Sequence, residues 1–132
     1  MNLAREAGVV ATQSSVCEGG QPSRAIDGNT SGNWGSGSII HTCPNSGNPW
    51  FMVDLGANKE LTVNYVLIWN RMDCCSDRIA GADVEILDED GTTVAASQHI
   101  AAPDNSQTFQ LDFGGVSGRY LRIERNGDKV MN

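Results

Sequence analysis

The sequence predicts an all-β fold, a sandwich or a barrel. Three observations carry this. Short segments of alternating apolar and polar residues recur along the chain. Turn residues separate them, and the 15 glycines supply many tight turns. No stretch has a sustained helical period; Pro22-Ser23-Arg24-Ala25-Ile26 suggests a single turn at most.

In chain order, residues 11–49 are nearly all small, polar or glycine, with few strand signals. Loops of this length in a compact domain usually carry function. Trp50-Phe51-Met52-Val53-Asp54-Leu55 then places Phe51, Val53 and Leu55 on one face. Leu61 to Asn70 (LTVNYVLIWN) is β-branched and apolar enough to predict a central, largely buried strand. Val84 and Ile86 alternate with Asp83 and Glu85. Asp88-Glu89-Asp90-Gly91 reads as a turn, and Thr92-Thr93-Val94-Ala95 starts the return strand. Phe109, Leu111 and Phe113 share a face within Gln107 to Phe113, opposite Gln110 and Asp112. Tyr120-Leu121-Arg122-Ile123-Glu124-Arg125 alternates again.

The bulk numbers bound the function. The 132 residues make one domain, residues 1–132, large enough for a real core. A net charge of −7 with nine Lys and Arg argues against nucleic acid and against anionic membrane surfaces as partners. No apolar run is long enough to span a bilayer, so direct membrane insertion is not expected. Met1-Asn2-Leu3-Ala4-Arg5 lacks the pattern of a signal peptide. The chain is expected to be a mature protein with an added Met, or a module of something longer. Neither His41 nor His99 has a motif-placed nucleophile, no glycine-rich phosphate loop precedes a helix, and no pair of carboxylates stands out. The expectation is binding without catalysis.

Four cysteines, Cys17, Cys43, Cys74 and Cys75, allow three full pairings, or four reduced thiols in a cytosolic protein. Zinc is disfavoured: there is no CxxC pair, and His41 near Cys43 is the sole mixed cluster.

The chemistry concentrates in Asn70-Arg71-Met72-Asp73-Cys74-Cys75-Ser76-Asp77-Arg78, directly after the strongest strand. Alone, Arg-x-Asp is a strand end with solvated charges. The adjacent cysteines add the option of a vicinal disulfide, a small rigid ring with an apolar sulfur face that suits the C–H groups of a sugar. Cα atoms across a trans peptide lie about 3.8 Å apart, below the usual disulfide range. Such strain tends to persist at functional sites. The arginine guanidinium offers five donors in a fixed fork, matched to neighbouring hydroxyls. Asp73, between the two arginines, is placed to hold their orientation by charge-assisted hydrogen bonds.

Arg71-x-Asp73-x4-Arg78, with Cys74-Cys75 inside it and His41 upstream, resembles the fucose-binding motif of the F-type lectins (fucolectins). Ala11-Thr12-Gln13-Ser14-Ser15, His41-Thr42, Asn48-Pro49-Trp50, Val53-Asp54-Leu55-Gly56, Arg78-Ile79-x-Gly81-Ala82 and Gly118-Arg119-Tyr120 extend the resemblance over nearly the whole chain. Ala25-Ile26-Asp27-Gly28 is shared with the wider discoidin-like group and speaks only for the fold.

The resemblance implies an eight-stranded jelly-roll sandwich of antiparallel strands, with the sugar in a shallow pocket of loops at one end. His41, Arg71 and Arg78 would hydrogen-bond L-fucose, including its axial 4-hydroxyl. The Cys74–Cys75 disulfide would pack on the ring carbons. Trp34 would be an apolar wall for the C6 methyl, or else a packed loop anchor. His99 has no motif support. Twenty-nine residues separate His41 from Arg71, slightly more than the family suggests. The excess falls partly in Gly56 to Glu60 and partly after His41, where it bears on the pocket rim.

The resemblance also implies a structural Ca2+ in the long loops, held by the backbone carbonyl of Arg24 and by Asp27, Asn29 and Ser38; oxygen donors suit that ion. Asp27-Gly28-Asn29 reads equally as a plain turn. The family's last strand, with a calcium-ligating Glu, would follow Asn132. That strand and ligand are therefore expected to be missing or supplied by another chain, favouring subunit association or lowering stability. Cys17 and Cys43, both in the long loops, are expected to pair.

The implied function is recognition of terminal L-fucose on glycans, outside the cell, with multivalency through a homo-oligomer raising a modest single-site affinity. The short, simple domain resembles bacterial members more than the cysteine-richer animal ones. Two alternatives remain: an accessory module of a larger glycosidase or toxin, and a discoidin-like module that binds protein or lipid.

Overall fold

The computed structural model describes residues 1–101 and 107–132. Seven antiparallel strands appear among these residues, where the resemblance implies eight: β1 (Val10–Gln13), β2 (Trp50–Asp54), β3 (Thr62–Trp69), β4 (Ala82–Leu87), β5 (Val94–His99), β6 (Thr108–Ser117) and β7 (Tyr120–Arg125). They form a five-stranded sheet in the order β1-β2-β7-β4-β5 and a two-stranded sheet of β3 and β6. Helical structure is limited to single 3-10 turns, one of them at Pro22–Ala25. No helix among the described residues is long and apolar enough to cross a membrane.

The period-2 pattern sets which faces meet. Phe51 and Val53 of β2, Val84 and Ile86 of β4 and Ile123 of β7 all point inward and are buried. In register, Val53 pairs with Leu121, and Phe51 with Ile123, which in turn pairs with Val84. Val63, Val66 and Phe113 meet them from the smaller sheet, with Phe109 and Leu111 packed at the margin. Dense packing of this layer is the main stabilising term.

Two expectations need correction. β1 falls in a region with few strand signals, yet Val10–Gln13 pairs with β2 from Val10↔Asp54 to Gln13↔Phe51. It is short, and only Ala11 packs against the core, so an edge strand of this kind has almost no apolar pattern to read. β3 is neither central nor largely buried. It has a single hydrogen-bonded neighbour, β6, and Tyr65, Leu67 and Trp69 face solvent. A two-stranded sheet has one inner face, and only Val63 and Val66 of β3 are fully covered there. A register shift between Val63 and Tyr65 sets the phase of the exposed stripe.

The far end of the sandwich is tied by short-range chemistry. The Asp88–Gly91 turn closes β4 on β5, with the Asp88 N–H donating to the Thr93 carbonyl at 2.9 Å. Arg119 makes a two-pronged bond to Asp54, 2.9 Å on each arm, and reaches Glu89 at 3.1 Å. Between β6 and β7 the chain passes so close to Ile86 and the Leu87 carbonyl that a Cβ at Gly118 would collide with both. The site end, by contrast, is built of long loops.

Ile86 is fully buried at the centre of β4. Ile86→Ala should destabilise the domain by about 3 kcal/mol through lost burial and the cavity left behind. Equilibrium urea unfolding will read this as a fall in midpoint at unchanged slope.

Candidate functional site

The site begins where β3 ends. Asn70, 2% exposed, follows Trp69 and organises the loop after it. Its side-chain N–H donates to the Ser76 carbonyl at 2.9 Å, its side-chain oxygen accepts from the Arg71 N–H at 2.9 Å, and its backbone N–H donates to the Gln107 carbonyl at 2.6 Å. Residues 71–76 are thus drawn into a tight arch over one buried amide. Within the arch Cys74 and Cys75 form a disulfide, with Cα atoms 3.8 Å apart. Cys75 sits at φ +59°, a left-handed conformation uncommon for a residue with a side chain. It leads into the 3-10 turn Ser76–Ile79, where buried Ile79 anchors the turn to the core. That turn raises the Arg78 side chain on the same side as the disulfide. The Arg78 carbonyl is held from below by the Arg125 guanidinium.

Arg71 and Asp73 make the central ion pair, Nε to Oδ1 at 2.7 Å. The other carboxylate oxygen of Asp73 accepts from the Trp34 N–H at 3.0 Å. Asp73 therefore orients Arg71, and it also fastens the loop that carries Trp34. The Arg71 bond, followed by the Trp34 N–H, holds the Asp73 carboxyl below its usual range.

Trp34 lies at the centre of a cationic cluster. The Arg71 guanidinium stands 5.0 Å from its ring centroid, and that of Arg24 stands 5.3 Å away. His41 meets the ring edge-on, centroids 5.6 Å apart. Trp34 is packed among loop residues, as the anchor alternative expects, and its ring is half-buried. His99 lies outside the cluster, paired with Asp83 at 2.6 Å across β4 and β5.

His41 reaches the site because the chain beside it has no side chain. A Cβ on Gly20 would strike the His41 backbone nitrogen and Cβ. With only hydrogen there, the two segments bond to each other, His41 N–H to the Gly20 carbonyl at 3.0 Å. The His41 Nδ1 faces the Thr42 carbonyl at 2.8 Å, so Nδ1 carries the proton and Nε2 is an acceptor in the neutral ring. Burial, reinforced by Arg78 and Arg71, holds the His41 pKa below 6.5, against opposing pulls from Thr42 and Glu18. Cys17 and Cys43 form the expected disulfide, Cα atoms 5.0 Å apart, and staple both flanks of His41. A cleft of about 420 Å³ opens beside the cluster, lined by Cys75, Asp77, Arg78, Arg125 and residues 128–130.

The four residues expected to bind metal lie in the loop beneath Trp34. Asp27 Oδ1 accepts from the Asn29 N–H at 2.7 Å, an Asx turn. Asn29 donates to the Ser36 carbonyl at 2.8 Å and accepts from the Ser31 N–H at 3.2 Å. Buried Ser38 donates to the Ser31 carbonyl. Arg24 sends its side chain to the Ile39 carbonyl at 3.2 Å as well as to Trp34. The donor set is all oxygen with one carboxylate, which fits the chemistry of a hard cation. Among the described residues, no three His, Cys, Asp or Glu side chains gather at one point.

Asn70, Gly20, Thr42 and Asn132 are organisers that residue-type reasoning does not single out. In the amide orientation that satisfies its neighbours, the Asn132 side-chain oxygen accepts from Arg78 Nη1 at 2.8 Å and Arg71 Nη1 at 3.1 Å. Gly20 reads in the sequence as a turn glycine beside Gly19, and its N–H does close the Cys17–Gly20 turn at 2.9 Å; its close approach to His41 is a tertiary contact. Thr42 and Asn132 act through tertiary contacts, and Asn70 through its own loop and Gln107.

The family model for the NedA-like, galactose-binding domain matches residues 24–123. Fucolectin-1 of Anguilla japonica is 39% identical over 122 residues, covering 86% of this chain and 67% of that protein. The chain belongs to the fucolectin family. Fucolectin-5 of the same eel is 44% identical over 123 residues, and the chain spans 63% of its length. Among solved structures, the fucolectin fold here resembles a Streptococcus pneumoniae fucose binding module, with TM-score 0.89 at 32% identity over 99% of this chain and 89% of that one. The lectin domain of lectinolysin, solved with Lewis b antigen, gives the same TM-score at 32% identity, over 99% and 90% of the two chains. A fucolectin from Morone saxatilis serum gives 0.81 at 31% identity, with this domain spanning 44% of that chain.

The Cys17–Cys43 link closes a loop of 26 residues around the site. Replacing both cysteines with serine should cost about 3 kcal/mol of stability, mainly by freeing the unfolded chain. Guanidinium unfolding of the double variant, without reductant, measures the loss.

Proposed function

We propose that this domain is a lectin that binds terminal L-fucose on glycans and does no chemistry on them. The observation that carries the reading is the joining of Arg71 and Trp34 through Asp73, next to a vicinal disulfide. Two guanidiniums are held on one side by fixed partners. Their remaining N–H groups are free to donate to neighbouring ring hydroxyls. His41 Nε2 complements them as an acceptor for a hydroxyl proton. The sulfur face of Cys74–Cys75 offers an apolar floor for ring carbons, and the Trp34 ring offers one for the methyl at C6. Fucose is uncharged, so it takes an orienting set of donors and acceptors without needing to neutralise it. Two relatives support the choice of sugar: the pneumococcal module is described as fucose binding, and the lectinolysin domain holds Lewis b antigen.

Two disulfides favour an oxidising compartment, hence action outside the cell. A shallow site and a small ligand give modest affinity per domain. Repetition, in a homo-oligomer or in tandem, would raise it to useful avidity. The similarity to the pneumococcal module supports kinship with bacterial members.

Calorimetric titration with L-fucose tests the reading, with D-galactose and D-mannose for comparison. Selective binding of L-fucose is expected, with at least a ten-fold loss in Arg71→Ala, since a hydrogen bond to a charged donor is worth about 1.5–3 kcal/mol. Absence of binding to all three sugars overturns it. The pH dependence has a definite sign. Nε2 accepts only in the neutral ring, so affinity is full above the depressed His41 pKa and falls as pH drops through it, below 6.5. Asp73, held charged to lower pH, contributes no loss in that window. The same titration repeated between pH 8 and pH 5 measures this.

The calcium reading rests on the family resemblance, and the oxygen-only donor set supports it. The carbonyl of Arg24, Asp27, Asn29 and Ser38 would hold the ion and brace the loop beneath Trp34. Addition of Ca2+ after chelation should raise the melting temperature by several degrees, and Asp27→Ala should abolish the rise, as differential scanning calorimetry will read.

A further inference from the structure

The last residues of the described chain pass beneath the site and touch Arg71, Arg78 and Thr42, the residue that fixes His41. Met131 is 2% exposed and belongs to the hydrophobic core. Its N–H donates to Thr42 Oγ1 at 2.8 Å, and its carbonyl accepts from the Thr42 N–H at 3.1 Å. Thr42 is fully buried, and its own carbonyl fixes the His41 ring. One residue further, Asn132 is 8% exposed and bridges Arg78 and Arg71 through one side-chain oxygen.

The two arginines are not equally supported. Arg71 has Asp73, Trp34 and Asn132. Among the described residues, Asn132 is the one hydrogen-bond partner of the Arg78 guanidinium, and no carboxylate forms an ion pair with it. Without Asn132 a long, flexible side chain would be free to rotate beside a like charge. Its entropy and its repulsion from Arg71 both favour dispersal. The bridging atom is also neutral. An amide oxygen orients both guanidiniums while leaving their other N–H groups for a ligand.

We infer that Asn132 is a positioning residue of the sugar site, setting the spacing and tilt of Arg71 and Arg78 relative to each other. It acts through the arginines and does not touch sugar. The inference rests on the fucose-binding reading for its consequence, but the bridge itself is a property of the free protein. Asn132 therefore governs selectivity: two guanidiniums at fixed spacing prefer one arrangement of adjacent hydroxyls over its epimers.

The experiment pairs two isosteric variants. Asn132→Leu keeps the volume and removes the acceptor, whereas Asn132→Asp keeps an acceptor. Calorimetry with L-fucose should show about a ten-fold loss in N132L, the scale of a hydrogen bond to a charged group, and affinity within about three-fold of the parent in N132D. Should N132L not fold, Asn132→Ser carries the same arm, since its short hydroxyl falls away from the arginines. Side-chain NMR of the protein without sugar reads the bridge directly. Separate, slowly exchanging Nη–H signals are expected for Arg71 and Arg78 in the parent, averaged in N132L. Parent-like affinity in N132L, equal losses in N132L and N132D, or averaged signals in the parent would each overturn the inference. A parent with resolved signals but no L-fucose binding would instead overturn the fucose reading and leave the positioning role standing.

Discussion

The Asp73 carboxylate joins two loops that no strand pairing connects. One oxygen holds Arg71 and the other holds the Trp34 backbone. Everything else at this end is arranged around that bridge. Trp34, once fixed, offers its ring to Arg24 and Arg71 and its edge to His41. The loop end of a sandwich has no ladder to satisfy its backbone, so scattered backbone bonds such as Met72 N–H to the Gly32 carbonyl share that task with side chains. Gln13 donates to the carbonyls of Ser15, Gly20 and His41, Asn70 closes the arch, and Thr42 knits in residue 131. The result is a set of loops with nearly the order of a strand pair.

The electrostatic pattern runs against the composition. The chain carries a net charge of −7, yet Arg24, Arg71 and Arg78 converge where a single carboxylate, Asp73, is in contact. Burial first, and then the positive charge of Arg78 and Arg71, lower the His41 pKa. At the opposite end acidic side chains dominate: Asp54 and Glu89 share one arginine, Arg119. The local cluster of guanidiniums leaves the site rich in donors, which suits a ligand made of hydroxyls.

How much of this was legible varies with what each residue depends on. β2, the β4–β5 hairpin and β7 were read correctly, because one buried face writes an alternation into the sequence. β1 escaped because four residues at a sheet edge bury too little to leave a pattern. β3 was misread because an apolar run cannot say whether one face or both are covered; Tyr65, Leu67 and Trp69 are apolar and exposed. In the site, Arg71, Asp73 and Arg78 were singled out by residue type and motif, Trp34 and His41 by the family resemblance, and the structure brings them together. Thr42 and Asn132 do their work by contact with residues distant in sequence, which no local pattern reports, and Asn70 by amide bonds within its own loop that depend on the loop's final shape. Arg24 was expected to contribute only its carbonyl; its side chain proves to be one of the walls around Trp34.

The Asp88–Gly91 hairpin has a practical consequence. β4 runs from the foot of the Arg78 turn to that hairpin, and its six residues span about 20 Å. Whatever is attached at the hairpin tip stands behind the sandwich, pointing away from the loops. A dye, a surface linker or a fused enzyme placed there would leave every domain presenting its loops outward, so that an immobilised layer would share one orientation.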